Sequence, residues 1–395
     1  MSKQSLHTKA IHAGERKKLP AAIPSTTPIF LASSYLYDDM AELDHTLEDD
    51  AAGPSYARYG NPTNAALEAQ MTAIEGGFGS LATATGMLAL QFAIEAALMD
   101  RRRSIVAASA LYGATLRMLM SVFEPAGVEV RFVDICDLAA VEAAIAEAKP
   151  GCVVLESISN PLLRVAQTDK IAELARAAGA ALIVDNTFAT PLLMRPLELG
   201  AHFSVHSLTK FLAGHGDTMG GIIVSDEAHF PALRALARTC GPVLGSFECY
   251  LAMRGIKTFP LRMERHCANA NAVAQWLAKH PRVARTYFPG DANHPDAAAV
   301  ARLFPKDQNG ALVSFDLKDA GRPEVFAFME RLKLIVRGTS LGDVHSLMLY
   351  PAMASHRDIS PKQRARLGIG DGLVRLSVGI ESVDDIIADL DQALA

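Results

Sequence analysis

A lysine ends the segment Ser204-Val205-His206-Ser207-Leu208-Thr209-Lys210, and Gly214, Gly216, Gly220 and Gly221 follow it. Phe203–His206 reads as a strand, so Lys210 falls at a strand end, between hydroxyl residues and glycines that enclose its stem. An enclosed lysine loses charge readily, and the neutral amine is the nucleophile of Schiff-base chemistry. Asp185 closes another apolar strand, Ala181-Leu182-Ile183-Val184. A carboxylate there needs a cationic or hydrogen-bonding partner, and a protonated pyridine nitrogen is one. Thr83-Ala84-Thr85-Gly86-Met87 opens an apolar helix, where the N–H groups of Gly86 and Met87 suit a phosphate. Asn160, before Pro161, can donate to a phenolate oxygen; Tyr112, before Gly113, can lie flat on an aromatic ring. Read singly, each also has a plain structural reading: a solvated lysine, a turn cap, an ordinary helix start, a turn, a loop tyrosine. Together they fall at the same edge of one predicted sheet, and that set can hold a phosphorylated pyridine aldehyde.

The scaffold that must position them is legible in outline. The chain has 395 residues, 50% hydrophobic and 21% charged, which excludes disorder and gives ample core for two or three domains. Its 38 basic and 43 acidic residues leave −5, so no basic field favours nucleic acid or anionic lipid. The stretch Met1 to Lys18 lacks an apolar h-region, and Gly79 to Met99 carries Thr83, Thr85, Gln91 and Glu95, which reads as a buried helix and not a membrane span. Cys136, Cys152, Cys240, Cys249 and Cys267 form no CxxC pair and fit a reducing compartment; a cytoplasmic protein is expected. GxGxxG and GxxxxGK[ST] are absent, which disfavours a nicotinamide oxidoreductase or a P-loop protein.

Residues 1–60 read as an arm, with Pro20, Pro24, Pro28 and an acidic patch from Glu42 to Asp50. Such an arm lies on its own body or on a partner. Over residues 61–255, helical runs (Leu67–Ile74, Gly86–Met99, Leu138–Ala148, Asp169–Ala178) alternate with strands at Ser104–Ala108, Glu129–Asp134, Cys152–Glu156, Ala181–Asp185, Phe203–His206 and Gly221–Ser225. This pattern predicts an α/β fold with a mostly parallel central sheet and helices on both faces, its ligands at the carboxyl ends of the strands. Residues 256–395 read as a smaller C-terminal α+β domain. A helix at Phe259–Lys279 precedes strands at Arg282–Phe288, Ala311–Leu317, Lys333–Val336 and Leu373–Val378. A last helix follows, opened by Ser382 with Asp385 as a capping box.

Four stretches resemble the Cys/Met-metabolism, or trans-sulfuration, family of pyridoxal-phosphate enzymes of fold type I. They are Tyr56-Ala57-Arg58-Tyr59-Gly60-Asn61-Pro62-Thr63, Asp185-Asn186-Thr187, the Lys210 segment with Gly214-His215-Gly216-Asp217, and Arg375-Leu376-Ser377-Val378-Gly379-Ile380-Glu381. The resemblance runs nearly end to end and implies pyridoxal 5'-phosphate as cofactor. It implies that Lys210 carries the cofactor and moves protons, with Tyr112 and Tyr56 completing the catalytic group. Asp185 would hold the pyridine nitrogen protonated, Tyr112 would stack on the ring, and Asn160 would meet its oxygen. Gly86, Met87, Ser207 and Thr209 would bind the phosphate, reached by Tyr56 and Arg58 from a neighbouring subunit. The active site then needs a dimer, and the family usually pairs dimers into tetramers. Arg375, with Ser340 and Asn160, would clamp the carboxylate of an amino-acid substrate.

The reaction so implied is γ-elimination at the Cγ–S bond of cystathionine or methionine, giving 2-oxobutyrate, ammonia and a thiol. The alternative is γ-replacement, by a cystathionine γ-synthase or O-acylhomoserine sulfhydrylase. Asp343 and His345 stand where cystathionine lyases and synthases usually have Gly and Glu, while Asp343 resembles methionine γ-lyases and the sulfhydrylases. Ala114 stands where methionine γ-lyases carry a cysteine, and Gly245-Ser246-Phe247 lacks a proline that the family often has near Ser246.

Overall fold

In the computed structural model, residues 4–15, 23–48, 53–99, 102–357 and 360–395 are described; Pro20, Asp49 and Asp50 of the arm lie outside them. The strands form two sheets. The first holds β1 (Gly79–Thr83), β2 (Ser104–Ala108), β3 (Glu129–Val133), β4 (Cys152–Glu156), β5 (Ala181–Asp185), β6 (Phe203–Ser207) and β7 (Gly221–Ser225), in the order β1-β7-β6-β5-β4-β2-β3. β7 runs antiparallel to both its neighbours and the remaining pairs are parallel. All strands but β7 therefore end on one edge, and β7 begins there. The strands are apolar on both sides because each face is covered: Ile223 enters the core beneath Gly86–Leu98, while Ile222 and Val224 enter the core beneath Pro62–Glu75.

The second sheet holds β8 (Val283–Tyr287), β9 (Leu312–Leu317), β10 (Val336–Arg337), β11 (Leu347–Leu349) and β12 (Leu373–Ser377), in the order β10-β11-β12-β9-β8. One helix, Phe259–Leu277, joins the two halves. Its first turns give Phe259, Met263 and Cys267 to the core that holds Phe211 and Leu212. Its last turns give Ala270, Val273 and Leu277 to the core of the second sheet.

Several expectations need correction. Gly79–Thr83 is a strand and not the start of a buried helix; a strand buried on both faces gives a continuous apolar run, which periodicity cannot tell from a helix. Lys333–Ile335 do not pair as a strand, because the Asp389 carboxylate takes the N–H groups of Lys333, Leu334 and Ile335 at 2.9, 2.9 and 2.8 Å. Ser382 precedes the last helix, Val383–Leu394, but its side chain makes no cap bond, so the capping box is not formed. Helices at Gly113–Met118, Phe230–Cys240 and Ser246–Ile256, and strand β11, were not foreseen.

The helix Ser246–Ile256 meets the segment after Lys210 at Gly255, where a Cβ would stand 2.2 Å from the Ala213 carbonyl oxygen and 2.7 Å from the Ala213 Cα. Backbone cannot yield there as a flexible side chain would. Gly255→Ala is expected to lower unfolding stability by about 1–3 kcal/mol, measured by urea denaturation.

Candidate active site

Lys210 lies in the turn after β6, where its N–H bonds the Ser207 carbonyl at 3.2 Å and its own carbonyl takes the Gly214 N–H at 2.8 Å. Arg262 holds that turn from behind, donating to the carbonyls of Phe211, Leu212 and Gly255 at 2.8, 2.9 and 2.9 Å. On another side Gly342, at φ +77°, comes so close that a Cβ would stand 2.5 Å from the Phe211 nitrogen. So confined, the Lys210 Nζ donates to Ser340 Oγ at 2.9 Å. Burial, aided by the charge of Arg375, lowers its pKa to about 8.

Asp185 ends β5. Its Oδ1 accepts the Thr187 N–H at 3.0 Å, and the Thr187 hydroxyl accepts the Ser207 N–H at 2.9 Å, so the ends of β5 and β6 are tied. Burial raises the Asp185 carboxyl, against the opposing effects of Thr187 and His206. Glu156 ends β4 in register with Asp185, and burial, then the Asp185 charge, push its carboxyl up to about 8.

After β1, the Thr85 hydroxyl caps the helix Gly86–Leu98 by accepting the Leu88 N–H at 3.0 Å. The N–H groups of Gly86 and Met87 lie in its first turn, which has no intrahelical partners. A Cβ on Gly86 would stand 2.8 Å from the Ser207 Cβ, and one on Gly221 would stand 2.3 Å from the Thr85 carbonyl oxygen. Glycine at both places lets this helix start sit against the end of β6. Thr209 secures the same corner: its hydroxyl donates to the Gly220 carbonyl at 3.3 Å and accepts the Gly220 N–H at 3.1 Å. Tyr112 precedes the helix Gly113–Met118 with its side chain exposed, and its N–H donates to Glu156 Oε1 at 2.6 Å.

Arg375 enters from β12 and is 2% exposed. Its Nη1 donates to Asn160 Oδ1 at 2.9 Å and its Nη2 to the Ser340 carbonyl at 3.2 Å, while its Cζ lies 5.9 Å from the centre of the Phe188 ring. Its Nε is buried with no partner, and burial pushes its pKa down to about 10. Beside it on β9, Ser314 donates to the Pro161 carbonyl at 2.6 Å, binding the second sheet to the same turn.

Tyr56 and Arg58 stand with other neighbours. The Arg58 guanidinium donates to the Arg238 carbonyl and lies 4.7 Å from the Tyr59 ring centre, and Tyr56 is exposed. Asp343 faces His345 Nδ1 at 3.3 Å and closes on Gly216, where a Cβ would stand 2.4 Å from its Oδ2. Glu156 and Arg262 were given no role from sequence. Glu156 shows the same signal as Asp185, an acid closing an apolar strand; Arg262 is one arginine in a helix and shows none.

The donor set fits pyridoxal phosphate. The Asp185 carboxyl is raised by burial, a helix start lies in a corner that a Cβ would fill, the Lys210 amine is enclosed with a lowered pKa, and the Arg375 Nε is buried without a partner.

Residues 7–395 match the family described as Cys/Met metabolism PLP-dependent enzyme. The chain is 40% identical over 394 residues to an L-methionine gamma-lyase of Pseudomonas putida, spanning 98% of this chain and 96% of that protein. It is 40% identical over 388 residues to a cystathionine gamma-synthase of Mycobacterium bovis, spanning 98% and 96%. A cystathionine gamma-lyase from Lactobacillus plantarum, solved with L-serine, superposes with a TM-score of 0.89 at 34% identity, over 99% of this chain and 98% of that one. The fold is fold type I of the pyridoxal-phosphate enzymes. The chain belongs to their Cys/Met-metabolism family, so it is a pyridoxal-phosphate enzyme that makes or breaks carbon–sulfur bonds of sulfur amino acids.

The low Lys210 pKa has a measurable consequence. In cofactor-free enzyme, capture of pyridoxal phosphate, followed by its visible absorption, is expected to rise with pH to a half-maximum near 8. Only about a tenth of the amine is neutral at pH 7; an ordinary lysine would keep rising through pH 10. Arg375→Lys loses the planar fork, and the KM for the amino-acid substrate is expected to rise roughly ten- to hundredfold in steady-state kinetics.

Proposed function

We propose that this enzyme cleaves the Cγ–S bond of an L-amino-acid thioether, methionine or cystathionine, by γ-elimination. The carrying observation is that base and carboxylate clamp share one residue: Ser340 accepts the Lys210 amine on its hydroxyl and an Arg375 N–H on its carbonyl. An amino acid whose carboxylate is gripped by Arg375 then has its Cα and Cβ beside the Lys210 amine. The names of the three relatives agree on chemistry at the γ carbon. Pyridoxal phosphate, when bound, withdraws electrons from the substrate's α carbon.

In this reading Lys210 holds the cofactor at rest and, once free, takes the proton from Cα and then from Cβ. Asp185 keeps a positive charge beside it, which compensates its own burial. Gly86, Met87, Ser207 and Thr209 bind the phosphate, and Tyr112 covers the ring. Asn160 and Ser340 steer Arg375. Tyr112 also lines, with Ala114, Met118 and Ser355, an outer groove of about 460 Å³, into which the thiol departs in this reading. Water ends the cycle by giving 2-oxobutyrate and ammonia.

Tyr56 and Arg58 reach the phosphate of a partner subunit in this proposal. Its support is an arm with Leu31 81%, Leu36 96% and Met40 74% exposed, apolar surface that a second copy would cover. The working parts are then an arm (1–60), a cofactor-binding domain (61–255) and a C-terminal domain (256–395), assembled as a dimer or a pair of dimers. No described helix is long and apolar enough to cross a membrane, and five cysteines without a disulfide suit the reducing cytoplasm.

A γ-replacement synthase is the second reading, favoured by the equal 40% identity to the cystathionine gamma-synthase. The test is 2-oxobutyrate release from L-methionine, L-cystathionine and O-succinyl-L-homoserine, with and without L-cysteine. Elimination predicts rapid keto acid from methionine or cystathionine without added thiol, abolished in Lys210→Ala. Keto acid from the acylated homoserine alone, diverted to cystathionine by cysteine, would replace this reading with the synthase.

A further inference from the structure

We infer that Glu156 is a positioning residue that couples the ring-covering Tyr112 to the Asn160 turn that aligns Arg375. This rests on the roles proposed above for Tyr112 and Arg375. Glu156 is the last residue of β4 and is 8% exposed. Its Oε1 accepts the Tyr112 N–H at 2.6 Å, fixing the start of the helix Gly113–Met118, and the Asn160 N–H faces the same carboxyl. Asn160 in turn accepts from Arg375 at 2.9 Å. One buried carboxyl thus stands between the residue that would cover the cofactor and the turn that steers the carboxylate clamp.

Its other surroundings work against a charged side chain in so buried a place, so the role rests on the acceptor it offers. Asp185 stands opposite it in the β4–β5 register, and Arg375 offsets part of the resulting repulsion. Its Oε2 is buried with no partner. Removing the side chain would take away the acceptor that fixes the Tyr112 N–H and with it the start of the helix Gly113–Met118. A glutamine keeps an acceptor for that N–H and replaces the orphaned oxygen with a neutral amide nitrogen.

The test compares Glu156→Ala and Glu156→Gln as cofactor-loaded enzymes. One readout is the induced circular dichroism of the visible cofactor band, and the other is binding of glycine, an amino acid with no side chain to cleave. Neither depends on whether the enzyme eliminates or replaces, so a failure of the substrate assignment leaves this test intact. Glu156→Ala is expected to reduce the dichroic band and weaken glycine binding roughly fivefold or more, while Glu156→Gln restores both to near wild type. If the alanine variant does not fold, Glu156→Asp, which withdraws the acceptor by one methylene, is expected to give the same paired loss. An alanine or aspartate variant that folds with an unchanged band and unchanged glycine binding would overturn the proposal. So would loss of thermal stability alone, or a glutamine variant as impaired as the alanine.

Discussion

The bond between Lys210 and Ser340 is the contact on which the site depends, because it joins the first sheet to the second. A lysine on the turn after β6 would otherwise reach solvent and keep its charge. Enclosed by Ser340, Gly342 and the Arg262-anchored turn, it sits beside Arg375, and two cations share a space with little water. Desolvation is costly for both, so the lysine yields its proton first and the guanidinium remains charged. The sheet thus holds an amine that loses its proton near pH 8 beside a guanidinium that stays charged.

The same economy governs the acids. Asp185 and Glu156 end adjacent parallel strands in register, and burial disfavours two negative charges there. A cation placed beside Asp185 relieves both, which is the electrostatic reason a protonated pyridine suits this edge. The helix start at Gly86 contributes N–H groups at the same edge, and only glycine at 86 and 221 allows that approach. Charge, close packing and strand direction therefore favour one kind of ligand, an anion-tailed aromatic cation, without any metal-ligating cluster among the described residues.

The second sheet does more than cap the first. β12 delivers Arg375, its neighbour β9 delivers Ser314 to the Pro161 carbonyl, and the segment before β11 delivers Ser340. The helix Phe259–Leu277 feeds both cores and carries Arg262 to the Lys210 turn. Displacement of the second sheet would disturb the Lys210 amine, Arg375 and the Asn160 turn together, because their hydrogen bonds interlock.

Local order carried much of this in the sequence. The strands from Ser104 to Ser225 were legible because buried parallel strands form short apolar runs, and Lys210, Asp185 and Gly86 were legible because chemistry-bearing types interrupt such runs at their ends. Motif resemblance supplied Arg375, Tyr56 and Arg58, whose roles no local pattern reveals. β1 was hidden because a doubly buried strand and a buried helix share one apolar text, and β10 was shortened because Asp389, more than fifty residues away, took its N–H groups. Only tertiary structure decided that Ser340 meets Lys210, that Glu156 meets Tyr112, and that Arg262 underpins the turn. Those contacts join residues far apart in the chain, and their energies depend on burial that no single segment encodes.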